Sequence, residues 1–386
     1  MGAYDIRVHN DEYAEFLAAK EVGRQPRIEM TLSCNPRIIL MDGRLNEGGV
    51  TFEQYMGDPD VMLETQCRFS EYVLNELPWD KFMGADENTR WRVYPDFQNV
   101  LEPAWFGCPV VFGKNAEPTV GRLLTDENKR DIFKRGLIEP FSGIMGKAAE
   151  YAGYFREREK AGHTWNGFAI SAAESFGLGT DGPMTIACSL RGAAEFCADL
   201  YEDAAYALEL LDFITESVTN RIKTFNRYFG LPEVAAARGV TDDCISLLSS
   251  DDYKKYVLPS HKKLVAALSE MREPGTTHLC GDAARHFVTM RDELFIGAFD
   301  TGFPVDHGAL VREVGEGVMI YGGVHVNTLL NGSADDVTAE TRQILEDVLP
   351  CKNFVMKEAN NLCPGTPPEN IAAMYGAVKE YGRFYF

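Results

Sequence analysis

The sequence carries little that would mark a secreted, membrane-spanning or nucleic-acid-binding protein. Its nine cysteines are an odd number, scattered from Cys34 to Cys363, and none form a C-x-x-C pair. A chain of this length needs no disulfide staple, so most of them read as small buried apolar groups. No run of about 18 apolar residues occurs, which argues against a membrane-spanning helix. The first twenty residues lack the apolar stretch of a secretory signal. Ile6 stands where a myristoylation signal on Gly2 requires Ser or Thr. Basic blocks are missing too. The formal net charge is −20, and duplex binding needs clustered Lys and Arg. Neither nucleic acid nor membrane is expected as a partner, and a cytoplasmic location is. No internal repeat and no low-complexity linker appears, so one globular unit is the economical reading. Gly177, Gly179 and Gly182 in FGLGTDGP suggest a dinucleotide loop, but the segment lies mid-chain and runs into Pro183, so no dinucleotide site is expected.

What is present is an alternation of short apolar runs with long amphipathic segments. Expected strands are Trp91–Tyr94, Val110–Phe112, Phe168–Ser171, Cys244–Leu248, Thr277–Cys280, Phe295–Phe299, Val318–Tyr321 and Phe354–Lys357. Expected helices include Lys129–Glu150, Ala194–Tyr228 (long enough to break), Ser250–Met271, Arg285–Leu294 and Ala334–Val348. Alternating β and α with buried strands predicts a parallel sheet. Eight strands in a chain of 386 residues favour closure into an α/β (β/α)8 TIM barrel. Residues 1–85 read as an N-terminal helical extension, with Asp58 and Pro59 supplying a helix start. Residues 86–386 form the barrel, the expected catalytic domain.

In such a barrel, chemistry collects at the C-terminal ends of the strands. There the segment TTHLCGD, residues 276–282, sets His278 and Cys280 two apart, and residues i and i+2 of a strand face one side. An imidazole nitrogen and a thiolate suit Zn2+, which takes N and S ligands at about 2.0–2.3 Å. A buried cysteine beside a hydrogen-bonded histidine is the plain alternative. Gly281 permits a turn, and Asp282 is placed to cap the next helix. On the last strand, Phe354, Met356, Glu358 and Asn360 share one parity. A carboxylate in a barrel mouth needs a cation or a proton, so Glu358 is a candidate ligand and catalytic group. Cys363, just past the strand, is another candidate ligand. Asp300 is expected to hold the free nitrogen of His278 because their strands are neighbours. Asp96, in YPDFQ, is a further catalytic candidate. Asn360, Asp243, Glu174 and His325 are candidate substrate-binding groups at strand ends.

The combination of H-x-C-G with a late P-x-T-P-x-E-N segment resembles the uroporphyrinogen decarboxylase superfamily, and within it the methylcobamide:coenzyme M methyltransferases. The stretches GPMTIACSLRG (182–192), LSSDDYKKYVLPSHKKL (248–264), FDTGFPVD (299–306) and VMIYGGVHVNTLL (318–330) carry the same resemblance. It implies a zinc-dependent methyltransferase that moves a methyl group between a small methylated substrate or thiol and a corrinoid held on another protein. Zn2+ is the implied metal, with methylcobalamin as co-substrate. The implied partners are a corrinoid protein and a small-molecule methyl donor or acceptor, with a homodimer allowed for. One departure stands out. The resemblance calls for a second cysteine four residues before Pro364, and this chain has Asn360 there. An oxygen ligand would harden the metal and suit an oxygen- or nitrogen-bound methyl group at least as well as a thiol. Two alternatives accompany this reading. One is a porphyrinogen decarboxylase, which needs an arginine-rich N-terminal loop that Arg24-Gln25-Pro26-Arg27 does not reproduce. The other is a non-catalytic small-molecule-binding barrel.

Overall fold

The computed structural model describes residues 4–384; Gly2 lies outside them. Five parallel strands form one sheet in the spatial order Glu29–Met30, Phe354–Ala359, Met319–His325, Ile296–Thr301, Gly275–Leu279. A second ladder pairs Trp91–Val93 with Phe168–Ala172, also parallel, with Thr164–Trp165 added antiparallel on its outer side. Residues 238–242 fill the position between the ladders without a ladder of their own. Their backbone presses so close that a methyl group at Gly239 would lie 1.6 Å from the carbonyl oxygen of Thr276. The eight positions close a (β/α)8 barrel.

Helices cover the outside wherever an apolar stripe recurs every three or four residues. In Ala204–Tyr228 the buried stripe runs through Leu210, Ile214, Val218, Ile222 and Phe225. The long helix expected over 194–228 breaks at Asp203, whose carboxylate accepts from the Tyr206 amide and starts the second piece. Ala334–Val348 begins with a reciprocal cap between Ser333 and Asp336. Asp58 caps Pro59–Glu76 as expected. Inside, Phe287 of the helix Ala284–Leu294 stacks on Phe299, ring centroids 4.6 Å apart. No helix among the described residues is long and apolar enough to cross a membrane.

Several expected elements differ. Cys244–Leu248 is not a strand but part of a 3-10 turn, Asp243–Leu247. Asp242 stops the chain there by accepting from the Met184 and Thr185 amides, the Thr185 hydroxyl and His261. Val110–Val111 pairs antiparallel with Thr119–Val120 in a separate hairpin. Within 129–150, Gly136, Pro140 and Gly143 restrict helix to a short turn, Asp131–Arg135, and a new start at Gly143. The N-terminal segment is mostly helical, but Glu29–Met30 joins the barrel sheet against Val355 and Met356.

Candidate active site

His278 and Asp300 are register partners on neighbouring parallel strands, so their side chains share a face. His278 Nδ1 lies 2.9 Å from Asp300 Oδ2, and His278 Nε2 lies 2.9 Å from Cys280 Sγ. Cys280 follows the strand end, and Gly281 turns the chain with φ +73°. The Cys280 thiol donates to Asn360 Oδ1 at 3.0 Å, and the Cys280 amide donates to Asp243 Oδ1 at 2.6 Å. One donor atom each from Asp243, His278 and Cys280 falls within 4.8 Å of the others. This is the one group of three or more His, Cys, Asp or Glu among the described residues with metal-site spacing.

The electrostatics follow from these contacts. Burial opposes charge on His278, but Asp300 and Cys280 beside it overcome that and push its pKa up to about 10. Burial would raise Asp300, yet His278 and Lys357 hold its carboxylate below the usual range. A cation bound here competes with the imidazole proton, so its uptake is proton-linked.

Glu358 does not belong to this group. Phe354, of the same parity, packs against His307 on the helix outside the barrel, with centroids 5.5 Å apart. Lys357 is the residue that points at the site. Its Nζ donates to Asp300 Oδ1 and to Ser33 Oγ, both at 2.6 Å. Glu358 is fully buried and accepts from the Ser33 amide through both oxygens, at 3.0 and 3.1 Å. Burial pushes its pKa up to about 8, against the pull of Lys357. The parity reading thus chose the wrong side of the strand for Glu358, while Asn360, past the strand end at φ +103°, does reach the Cys280 sulfur. Cys363 also stands apart from the Asp243–His278–Cys280 group; its carbonyl accepts from Thr366 and burial raises its thiol pKa.

The other candidates are dispersed. Asp96 follows the strand Trp91–Val93 and accepts from Tyr55 Oη at 2.7 Å and Gln98 Nε2 at 2.6 Å; burial raises its pKa. Glu174 is exposed after Phe168–Ala172, and its carbonyl takes a bond from Arg156. His325 caps the helix Val326–Asn331, its Nδ1 accepting from the Asn327 amide at 3.0 Å, and its ring lies on Phe303. Asp282 does not cap the next helix, since Ala283 holds that position. Lys357 and Ser33 escaped the sequence reading. The available signal was a Lys-Glu pair inside an otherwise apolar strand.

Comparison with known proteins fits this geometry. The family model described as Uroporphyrinogen decarboxylase (URO-D) matches residues 94–381, well over half of the chain. The chain belongs to the uroporphyrinogen decarboxylase family, a family of enzymes. Its relatives fall on both sides of that family. A methylcobamide:CoM methyltransferase of Methanosarcina mazei is 25% identical over 52% of this chain and 56% of its own length. A methylated-thiol–coenzyme M methyltransferase of the same organism is 31% identical over 35% of each chain. A uroporphyrinogen decarboxylase of Thioalkalivibrio sulfidiphilus is 27% identical over 47% of this chain and 51% of its own length. The chain thus matches about half or less of the length of these curated relatives. The solved structure of a methyltransferase from Methanosarcina mazei superposes with a TM-score of 0.60 at 17% identity, covering 96% of this chain and 98% of that one. That likeness supports the barrel fold.

Proposed function

We propose that this chain is a zinc-dependent methyltransferase exchanging a methyl group between a small substrate and a corrinoid carried by a partner protein. The observation that carries this reading is the convergence of Asp243, His278 and Cys280 within 4.8 Å, with Asn360 against the cysteine sulfur. Nitrogen, sulfur and carboxylate donors at this spacing fit Zn2+. Asp243 takes the ligand role expected of Glu358 and Cys363. When bound, Zn2+ would supply Lewis acidity that lowers the pKa of a substrate thiol or polarises a leaving oxygen or nitrogen.

The protein's own groups do the rest. Asp300 accepts the Nδ1 proton of His278 and leaves Nε2 toward the sulfur. Asn360 accepts from the Cys280 thiol, and its amide replaces a second thiolate with a harder oxygen. Such a donor set favours methyl groups on oxygen or nitrogen at least as much as on sulfur. The partner's corrinoid, as co-substrate, would supply the methyl group to a substrate thiolate or accept it from an oxygen, nitrogen or sulfur, with the electrons of the broken bond staying on the group that the methyl leaves.

The decarboxylase reading has one observation in its favour, the half-buried Asp96 with its Tyr55 hydroxyl. Against it, Arg27 is not free to grip a substrate carboxylate. Its guanidinium is spent on Asp80, at 2.8 and 2.5 Å, under the Tyr375 hydroxyl.

The test combines elemental analysis of zinc-replete protein with titration by methylcobalamin and cob(I)alamin across a panel of O-, N- and S-methyl compounds. One zinc per chain and methyl exchange with cobalt are expected. Porphyrinogen decarboxylation without corrinoid, or no methyl on cobalt in either direction, would sink the proposal. A His278→Ala variant that binds substrate yet loses turnover separates an enzyme from a binding barrel.

A further inference from the structure

Behind the Asp243–His278–Cys280 group lies a second tier that reaches the opposite end of the chain. Lys357 is enclosed, with 2% of its side chain exposed, whereas His278 and Asp300 are each about a quarter exposed. Its ammonium has three N–H bonds. Two go to Asp300 Oδ1 and Ser33 Oγ, and Glu358 Oε1 lies 3.5 Å from the nitrogen. Asp300 is therefore held through both oxygens, Oδ1 by Lys357 and Oδ2 by His278. Ser33 is itself fixed by its amide on Glu358 and by its carbonyl, which accepts from the Leu362 amide. The lysine is thus tied from three directions and cannot reach a substrate directly.

We infer that Lys357 is a positioning residue: it pins the Asp300 carboxylate so that His278 keeps its proton on Nδ1 and turns Nε2 toward Cys280 and the metal position. An imidazole that binds metal through one nitrogen is oriented by the bond its other nitrogen makes. Here that bond ends on a quarter-exposed carboxylate whose other oxygen is clamped from behind by Lys357. Without the clamp, a quarter-exposed carboxylate is free to rotate toward water. The inference rests on the proposed zinc site, but half of its test does not.

The experiment uses the full chain with two variants, Lys357→Met and Ser33→Ala, each checked for native circular dichroism. The first readout is affinity for Zn2+ alone, by competition with a chromophoric chelator. The second is the proton on His278 Nδ1 in metal-free protein, observed with 15N-labelled histidine and assigned by its loss in His278→Gln. Lys357→Met is expected to weaken zinc by roughly 10–100-fold, as loss of an outer partner does, and to broaden the Nδ1 proton through solvent exchange. Ser33→Ala, which keeps the charge and frees one tether, is expected to move both readouts the same way by a smaller factor. Wild-type values of both readouts in folded Lys357→Met overturn the inference. If that variant does not fold, unchanged readouts in folded Ser33→Ala overturn it. Failure of the wild-type chain to bind zinc counts against the functional proposal alone, because the Nδ1 proton still decides whether Lys357 sets the histidine.

Discussion

Two buried ion-pair clusters tie the N-terminal segment to the rest of the barrel, and they differ in what they leave open. In the first, Arg27 meets Asp80 with two parallel bonds. Tyr375 closes the remaining side, and the Met30 amide donates to Asp80. In the second, Lys357 joins Ser33 to Asp300, and the chain of contacts continues through His278 to Cys280 and Asn360. Asp80 is sealed, with no exposed side-chain surface, whereas Asp300 is a quarter exposed. Burial of charge alone does not mark function. A closed, bidentate pair whose carboxylate oxygens each accept two bonds is a fastener. A chain of polar groups that ends at soft and hard donors facing an opening can bind something.

The largest expected effect breaks the fastener. Arg27→Met leaves Asp80 buried without its cation, so denaturant unfolding should show a loss of about 3–5 kcal/mol. Zinc affinity of the folded fraction should stay within a factor of about two, because the two clusters share no side chain. A small stability change would erase the distinction drawn between them.

Next comes the open cluster. Cys280→Ala removes a direct ligand, so zinc should weaken by more than the roughly 100-fold expected of outer groups, with little change in metal-free unfolding. Full zinc occupancy of this variant under mild chelation would show that the site is misassigned. A finer comparison ranks the three candidates for the third ligand. Asp243→Asn should weaken zinc more than either Glu358→Gln or Cys363→Ala in the same competition assay. The reverse order would return the third ligand to the last strand.

The last comparison concerns pH, and its effect is spread over several pH units. Glu358 has a folded pKa of about 8, above that of an unfolded glutamate. Between those values the folded chain holds a proton that the unfolded chain has released, so this group lowers stability as pH rises from about 4.5 to 8. Each tenfold difference in proton affinity is worth about 1.4 kcal/mol. Glu358→Gln should flatten that decline; equal slopes for wild type and variant in urea titrations would count against it.

Much of the second half of the barrel is legible in the sequence. The strands near residues 277, 296, 319 and 354 are short apolar runs bounded by Gly, Pro, Asp or Asn. His278, Cys280 and Asp300 emerge from strand spacing and adjacency. Glu358 misled because every residue of Phe354–Ala359 is buried. A central parallel strand covered on both faces shows no alternation, so parity gives two sets of residues but not which set points inward. The fourth barrel position was missed for another reason. Residues 238–242 are short, contain Gly239 and make no ladder, whereas the apolar run just after them resembles a strand and is a turn.

That unladdered segment carries a mechanical consequence. His278 sits on a strand bonded to its neighbour, while Asp243 ends a stretch fixed by side chains: the Thr277 hydroxyl accepts from the Val240 amide, Asp242 grips Met184, Thr185 and His261, and Asp243 itself accepts from the Cys280 amide. The donor group therefore resembles a vise whose one jaw is set by a backbone ladder and the other by side-chain bonds, so substitutions at Thr277, Thr185 or His261 reach the jaw that carries Asp243 without removing a bond from the ladder that carries His278.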